Sequence, residues 1–327
     1  MNALVSAAPI LSAAAMWMRQ LRCPYCGRDF AEVDIFAVIR IRCECGFTLR
    51  NDGGIVRALV PESAAYFEQF VREYGEVRAR EGRSGDDAYY LALPFEDRTG
   101  RNSWQWSIRA KTFRYFTSRV LSRIERHSGK PLDVLDIGAG NGWLSYRMTL
   151  RGHRCAAVDL LDNAWDGLGA AHHYRSHSKS PFALLQAEMD RLPFADRQFD
   201  LIIFNASFHY STDYVRTVRE SLRCLRPGGS IVMLDTPYYH HESSGAAMVR
   251  EREGEFQRKY GFRSNSVPSS EFVSRGTLDR LARDCGIRWQ VFKPWYGWNW
   301  ALRPWKARLR RRRQPSKFYL LWGRTEA

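Results

Sequence analysis

Two groups of residues in this chain have the types and spacing to do chemistry. The first is Cys23-Pro-Tyr-Cys26-Gly with Cys43-Glu-Cys45-Gly. A tight turn closed by glycine lets two thiolates of one loop reach one ion, and four soft ligands suit tetrahedral zinc. The pairs read as the two knuckles of a zinc ribbon, with Cys23, Cys26, Cys43 and Cys45 as ligands. Val33, Ile35, Val38, Ile39 and Ile41 between them favour a β-hairpin that brings the knuckles together. Four thiolates leave no open position for a catalytic water, so the expected zinc is structural. The second group is Val134-Leu135-Asp136-Ile137-Gly138-Ala139-Gly140-Asn141-Gly142-Trp143. A buried strand enters three alternating glycines and a helix follows. Glycine permits the tight turn and lets a ligand lie against main-chain atoms. A dinucleotide binder would have its third glycine where Trp143 stands, and no Gly-Lys-Ser/Thr is present, so neither a pyrophosphate cradle nor a Walker loop is indicated.

The elements around that loop alternate. Asp133–Ile137, Cys155–Asp159, Phe182–Gln186, Phe199–Asn205 and Ser230–Leu234 are short apolar runs separated by helical patterns, which predicts a parallel sheet wrapped by helices. Val215, Val218, Leu222 and Leu225 mark one face of a helix that Arg226-Pro227-Gly228-Gly229 ends. Upstream, Pro61 starts a helix with Tyr66, Phe67, Phe70, Val71, Tyr74 and Val77 on one side. Arg78–Asp87 reads as a linker and Tyr89–Arg101 as irregular. Ser103 is placed to cap a helix to about Arg126. These aromatics read as core, with a lid over a ligand as the lesser role for Tyr89, Tyr90, Trp104 and Trp106. Downstream, Ser244–Arg263 reads as a charged helix, Thr277 as the cap of another that Gly286 ends, and Trp289–Phe292 and Phe318–Trp322 as the last two strands.

Four separated motifs resemble those of class I S-adenosylmethionine-dependent methyltransferases, the type 11 group that includes ubiquinone and menaquinone enzymes. They are the glycine loop with its leading Asp136, Val158-Asp159, the stretch Gln186-Ala187-Glu188-Met189-Asp190-Arg191-Leu192-Pro193-Phe194 followed by Phe199-Asp200, and Leu225-Arg226-Pro227-Gly228-Gly229. The resemblance covers residues 130–240. It implies an α/β, Rossmann-like, seven-stranded and mostly parallel sheet flanked by helices, here with a small N-terminal zinc ribbon and helical cap. The divisions expected are a tail over 1–19, the ribbon over 20–58, a helical cap and linker over 59–130, and a methyltransferase domain over 131–327 with a basic C-terminal segment. It also implies S-adenosyl-L-methionine as cofactor, held by Asp136, Gly138, Gly140, Gly142, Asp159, Glu188, Met189 and Asn205. Gly138 and Gly140 would open the loop for the amino-acid part, with Asp136 supporting from below. Asp159 would take both ribose hydroxyls. Glu188 would accept from the adenine amino group while Met189 packs on the ring.

Methyl transfer needs a nucleophile held in line with the carbon–sulfur bond. That places the reaction beyond the carboxyl ends of the strands. Asn205-Ala206-Ser207-Phe208-His209-Tyr210 follows the fourth strand, and His209 is the candidate base or substrate-orienting group. Asn205 is not followed by Pro-Pro, which counts against methylation of an exocyclic base amine. After the fifth strand, Tyr238 and His240 would share one face of a polar substrate wall. Adjacent His240 and His241 face opposite ways on an extended strand, which counts against a metal there.

Composition bounds the rest. The 327 residues are 45% hydrophobic and 26% charged, which excludes disorder and collagen-like repeats. No apolar run is long enough for a membrane span. The seven cysteines do not form a disulfide scaffold, and their clustering suits a reducing, cytoplasmic setting. The apolar stretch 3–18 lacks the basic residues of a secretory signal and reads as a tail or an early start, with Met16 or Met18 as the alternative. A net charge of +15 implies attraction to a polyanion, an anionic membrane or an acidic substrate. Trp295-Tyr296-Gly297-Trp298-Asn299-Trp300 followed by Arg303–Arg313 suits RNA or an anionic membrane surface, or reads as a solvated loop. The leading expectation is a small-molecule or lipid-like acceptor. A ribosomal RNA (guanine) methyltransferase is the alternative, because a zinc ribbon before this core is similar to that layout. A non-catalytic zinc-ribbon binding protein is the second alternative.

Overall fold

Strands buried on both faces read as continuous apolar runs, and Asp133–Ile137 is buried at all five positions. It sits in the middle of the main sheet. The computed structural model describes residues 20–30, 40–178 and 181–325. The 3–18 stretch with Met16 and Met18, and hairpin positions Val33, Ile35, Val38 and Ile39, lie outside the described residues.

The strands are β1 (Arg40–Arg42), β2 (Thr48–Asp52), β3 (Ile55–Arg57), β4 (Asp133–Ile137), β5 (Arg154–Asp159), β6 (Ala183–Gln186), β7 (Phe199–Asn205), β8 (Leu225–Leu234), β9 (Pro237–Tyr239), β10 (Val273–Ser274), β11 (Ile287–Phe292), β12 (Lys317–Phe318) and β13 (Leu320–Thr325). The helices are α1 (Pro61–Arg80), α2 (Asp87–Ala92), α3 (Ser103–Phe116), α4 (Ser122–Ser128), α5 (Trp143–Thr149), α6 (Tyr214–Cys224), α7 (Glu242–Tyr260), α8 (Arg275–Cys285), α9 (Trp298–Ala301) and α10 (Arg303–Leu309). The main sheet has ten strands in the order β1-β2-β3-β6-β5-β4-β7-β8-β13-β11. Its last seven strands are the expected α/β methyltransferase sheet, parallel from β6 to β8 and antiparallel at β13 and β11.

The ribbon extends this sheet. β3 pairs in parallel with β6, Val56 opposite Leu185. Leu21 bridges Phe194, and Leu21, Leu49, Val56 and Ala58 join the core against Leu185 and Phe194. An unpaired β6 would be an open edge. One sheet therefore runs across the expected division between ribbon and methyltransferase domain.

Several local expectations change. Arg226-Pro227-Gly228-Gly229 lies inside β8, where Phe199 pairs with Leu225 and Leu201 with Ser230, so the motif is a bulge as well as a helix stop. Arg226 ion-pairs with Asp133 and Asp200 there. Tyr89–Arg101 is not wholly irregular: α2 is capped by Asp86, which accepts from the Tyr89 amide. Ser103 is not the cap of α3. Asn102 holds that position, and Asp97 accepts from the Asn102 amide (2.6 Å) and the Ser103 hydroxyl (3.3 Å). The helix then passes through a π turn at Thr117–Leu121 into α4. Ser274, not Thr277, caps α8, and the two form a reciprocal capping box. Among the described residues no helix is long and apolar enough to cross a membrane.

Candidate active site

The turn after β4 is where main chain replaces side chain. Gly138, Gly140 and Gly142 all have positive φ, at +72°, +56° and +78°. A Cβ on Gly138 would lie 2.2 Å from the Ser207 Cβ, and Ser207 is fixed by a 2.5 Å hydrogen bond from its hydroxyl to the Ile137 carbonyl. Left-handed backbone and overpacking each cost roughly 1–3 kcal/mol. Gly138→Ala is therefore expected to lower the melting temperature and weaken cofactor binding together. An unchanged melting curve would contradict the packing.

The loop borders a cavity, open to solvent, at the carboxyl ends of β4, β5 and β7. Six of the sequence-expected residues line it: Gly138, Gly140, Asp159, Glu188, Met189 and Asn205. Gly142 does not. It is the N-cap of α5, where a Cβ would strike the Phe182 ring. Asp136 lies outside the lining, buried beneath the loop, and accepts from the Ser145 hydroxyl at 2.9 Å. Burial, with Asp159 nearby, pushes its carboxyl up to about 7.

Asp159 holds the loop together. Its Oδ2 accepts from the Gly140 amide at 2.7 Å and its Oδ1 from the Leu161 amide at 2.8 Å. Burial raises it to about 6. Asp159 lines the cavity, and a carboxylate has about four acceptor sites, more than these two bonds use. Glu188 is raised by burial, and its Oε1 has no hydrogen-bond partner. Asn205 Oδ1 is likewise buried and unpartnered. Ala206 follows at φ +56°, a conformation costly for a residue with a Cβ. Orphaned acceptors beside a strained turn suit a site that awaits hydrogen-bond donors.

The roof was not recognised in the sequence. Phe67, Phe70, Val71 and Tyr74 of α1 line the cavity, so the stripe expected to be core is half-buried and faces a ligand space. Tyr89, Tyr90 and Trp106 are fully buried, as the core reading expects and the lesser lid role does not, and Trp104 is exposed. Arg78, expected in a linker, lies in the last turn of α1 and ion-pairs with buried Asp166, which also contacts Asn141 of the glycine loop. Arg109 of α3 lines the cavity beside Trp143 and stacks on Trp106 at 4.8 Å. Its guanidinium has no hydrogen bond or ion pair among the described residues, and burial lowers it to about 10. No spacing signal could have joined residues 78, 109, 143 and 166.

The three expected catalytic residues do not meet in this cavity. His209 sits on a 3-10 turn, Phe208–Tyr210, that turns its ring into the protein while Tyr210 lines the cavity. Burial, with Arg252 and Arg109 nearby, holds the imidazole down to about 3, so it is neutral and a weak base. Tyr238 and His240 do share one face, but on a separate groove with Arg275, Trp289 and Tyr319. The chain turns at Asp235 (φ +50°) into β9, which leaves the main sheet to pair with β10 and β12.

At the ribbon, the four Sγ atoms lie within 4.8 Å of one another. Cys23 and Cys45 are 3.7 Å apart and Cys26 and Cys43 3.6 Å. Zinc–sulfur bonds near 2.3 Å in a tetrahedron require sulfurs about 3.8 Å apart. The donor set fits one structural zinc.

Residues 135–233 match the methyltransferase domain family. Over that stretch the chain is similar to methyltransferase domains. The chain is 37% identical over 114 residues to malonyl-[acyl-carrier protein] O-methyltransferase 1 of Coxiella burnetii, covering 35% of this chain and 37% of that protein. It is 31% identical over 102 residues to demethylmenaquinone methyltransferase of Mycobacterium marinum, covering 31% and 40%. The alignments thus span under half of these relatives. Among solved structures, phosphoethanolamine N-methyltransferase 2 of Haemonchus contortus in complex with S-adenosyl-L-methionine is similar at 14% identity and a TM-score of 0.45, over 63% of this chain and 52% of that one. The matched stretch contains every cavity residue from Ile137 to Thr217, whereas the roof on α1 and Arg109 lie before it.

Proposed function

We propose that the chain is an S-adenosylmethionine-dependent methyltransferase acting on a small-molecule or lipid-like acceptor. The observation that carries this reading is the two-sided cavity. One side offers glycine main chain, Asp159, Glu188 and Met189; the other is the apolar roof of α1. The cofactor, when bound, supplies a sulfonium methyl group. Asp159 would take the ribose hydroxyls, Glu188 the adenine amino group, and Met189 would pack on the ring. The loop at Gly138–Gly140 would carry the methionyl part. Arg109, unpaired and at the loop end of the cavity, would hold the methionyl carboxylate. The roof and Tyr210 would align an apolar acceptor and exclude water. His209 is assigned no proton transfer, because a neutral imidazole held near 3 takes up little charge at neutral pH.

A roofed, apolar cavity supports a compact acceptor, as do the names of the relatives, which refer to a malonyl carrier protein and a quinone precursor. The ribosomal RNA alternative is not favoured. The test is incubation with methyl-labelled donor against a lipid and metabolite extract and, in parallel, total RNA. Label in the small-molecule fraction is expected. Label confined to RNA would reverse the acceptor class, and absence of cofactor affinity would return the non-catalytic binder. Arg109→Gln is expected to weaken S-adenosylhomocysteine at least tenfold and leave methylthioadenosine, which lacks the carboxylate, unchanged in calorimetry. Equal loss for both would remove Arg109 from that role.

A further inference from the structure

The helical segment between β11 and β12 keeps a row of apolar residues on the outside. Leu302 is in the right-handed helical region, and amide bonds Leu302 to Trp298, Lys306 to Leu302 and Arg310 to Lys306 make α9 and α10 one continuous helix. At 3.6 residues per turn, positions 298, 302, 305 and 309 fall within an arc of about 60°. All four are apolar and open to solvent: Trp298 is 74% exposed, Leu302 42%, Trp305 62% and Leu309 65%. The opposite side is the anchored one. Trp300 packs on Tyr296 and Phe318 at 5.0 and 5.3 Å, and Arg303 stacks on Trp300. Lys111 of α3 donates to the Tyr296 carbonyl at 2.9 Å, and Thr112 meets the Tyr296 hydroxyl at 2.8 Å. The helix is therefore fixed with its apolar stripe facing away from the protein. An ordinary surface helix turns that stripe inward.

Charge says what covers it. Lys306 and Arg308 flank the stripe on either side, and Arg310, Arg311 and Arg312 continue from its end, all exposed. No Asp or Glu occurs from residue 285 to 325. Arg313, the next residue after Arg312, ion-pairs with Glu251 at 2.7 Å. A rigid row of tryptophan and leucine flanked by cations matches a helix lying in the interface of an anionic bilayer. There the aromatic and aliphatic side chains enter the headgroup–acyl boundary and arginines meet phosphates. Single-stranded RNA would use aromatic faces and arginines, but gains nothing from leucines in the same row.

We propose that the α9–α10 helix is a docking surface for an anionic lipid bilayer. It is held on α3, the helix that also carries the cavity residue Arg109. Vesicle binding needs no turnover, so this proposal stands or falls separately from methyl transfer.

The test is co-sedimentation of the full chain with phosphatidylcholine vesicles, with and without phosphatidylglycerol. Binding at least tenfold tighter to the anionic vesicles is expected. A variant carrying Trp298→Ser, Leu302→Ser, Trp305→Ser and Leu309→Ser keeps every arginine and should lose at least tenfold, while its S-adenosylhomocysteine affinity stays that of the parent. Arg310→Ser/Arg311→Ser/Arg312→Ser should weaken binding and reduce its salt dependence. Three results would overturn the proposal. One is equal binding to zwitterionic vesicles. Another is undiminished binding by the stripe variant. The third is failure to bind vesicles together with salt-sensitive binding to total RNA, which would assign the patch to nucleic acid.

Discussion

Asp159→Ala should lower affinity for S-adenosylhomocysteine at least tenfold, and as much as a hundredfold. A hydrogen bond to a charged acceptor contributes about 1.5–3 kcal/mol, and two hydroxyls would share this carboxylate. The same side chain also anchors the Gly140 and Leu161 amides, so loss of affinity alone would not separate sugar contact from loop support. A 2′-deoxy analogue closes the cycle. The parent should bind it more weakly than the ribonucleoside, and Asp159→Ala should bind the two alike. Discrimination that persists in the variant would move ribose recognition elsewhere. The pH dependence follows from the same group. Burial raises Asp159 to about 6 from an ordinary value of 3.8. Hydroxyl donors favour its ionised form, so affinity should be constant above neutrality and fall as pH drops through about 6. The stability of the empty protein has the opposite sign. A carboxyl raised in the folded state binds protons that the unfolded state releases, so its contribution is present below about 4 and is lost as pH rises through 6. Asp136, raised to about 7, adds in the same direction.

The central sheet was readable because its strands are buried on both faces and its glycine loop has one backbone solution. β4 and β7 match the expected bounds residue for residue. The ligand-facing half of the site was not readable, for a physical reason. The stripe Phe67, Phe70, Val71 and Tyr74 has the periodicity of a buried helix face, and periodicity reports that a face avoids water, not whether protein or ligand covers it. For Tyr89, Tyr90 and Trp106 the core reading holds, and the lesser role of a lid falls to α1 instead. Tyr238 and His240 were expected at the site because ligands bind beyond strand ends. β9 pairs with β10 and β12 rather than continuing along the main sheet, and no residue type announces that change of partner. Arg109 was silent because its meaning is a buried guanidinium with no direct ion pair among the described residues, Asp235 acting on it only from a distance, and only packing reveals that.

Cys26→Ser should destabilise the protein about as much as Cys43→Ser. That equality would identify the metal. Cys43 is buried and Cys26 is exposed. If the thiols only packed, the exposed substitution would stay within about 0.5 kcal/mol and the buried one would exceed it. If both bind one ion, removing either breaks the same tetrahedron, and metal binding is folding free energy. The consequence reaches beyond the knuckles, because the ribbon carries β3 onto β6 and places Leu21, Leu49 and Val56 against Phe194 and Leu185. Fully burying each such side chain contributes about 1.5–3 kcal/mol. Loss of order in the ribbon should therefore lower stability by roughly 4.5–9 kcal/mol, a fall in melting temperature on the order of 10 °C for a chain of this size. Chelator should reproduce the drop in the parent and change neither variant further. Less than half an equivalent of zinc in protein purified without chelator, or a Cys26→Ser melting curve that overlays the parent, would leave the four thiols as an unmetallated turn.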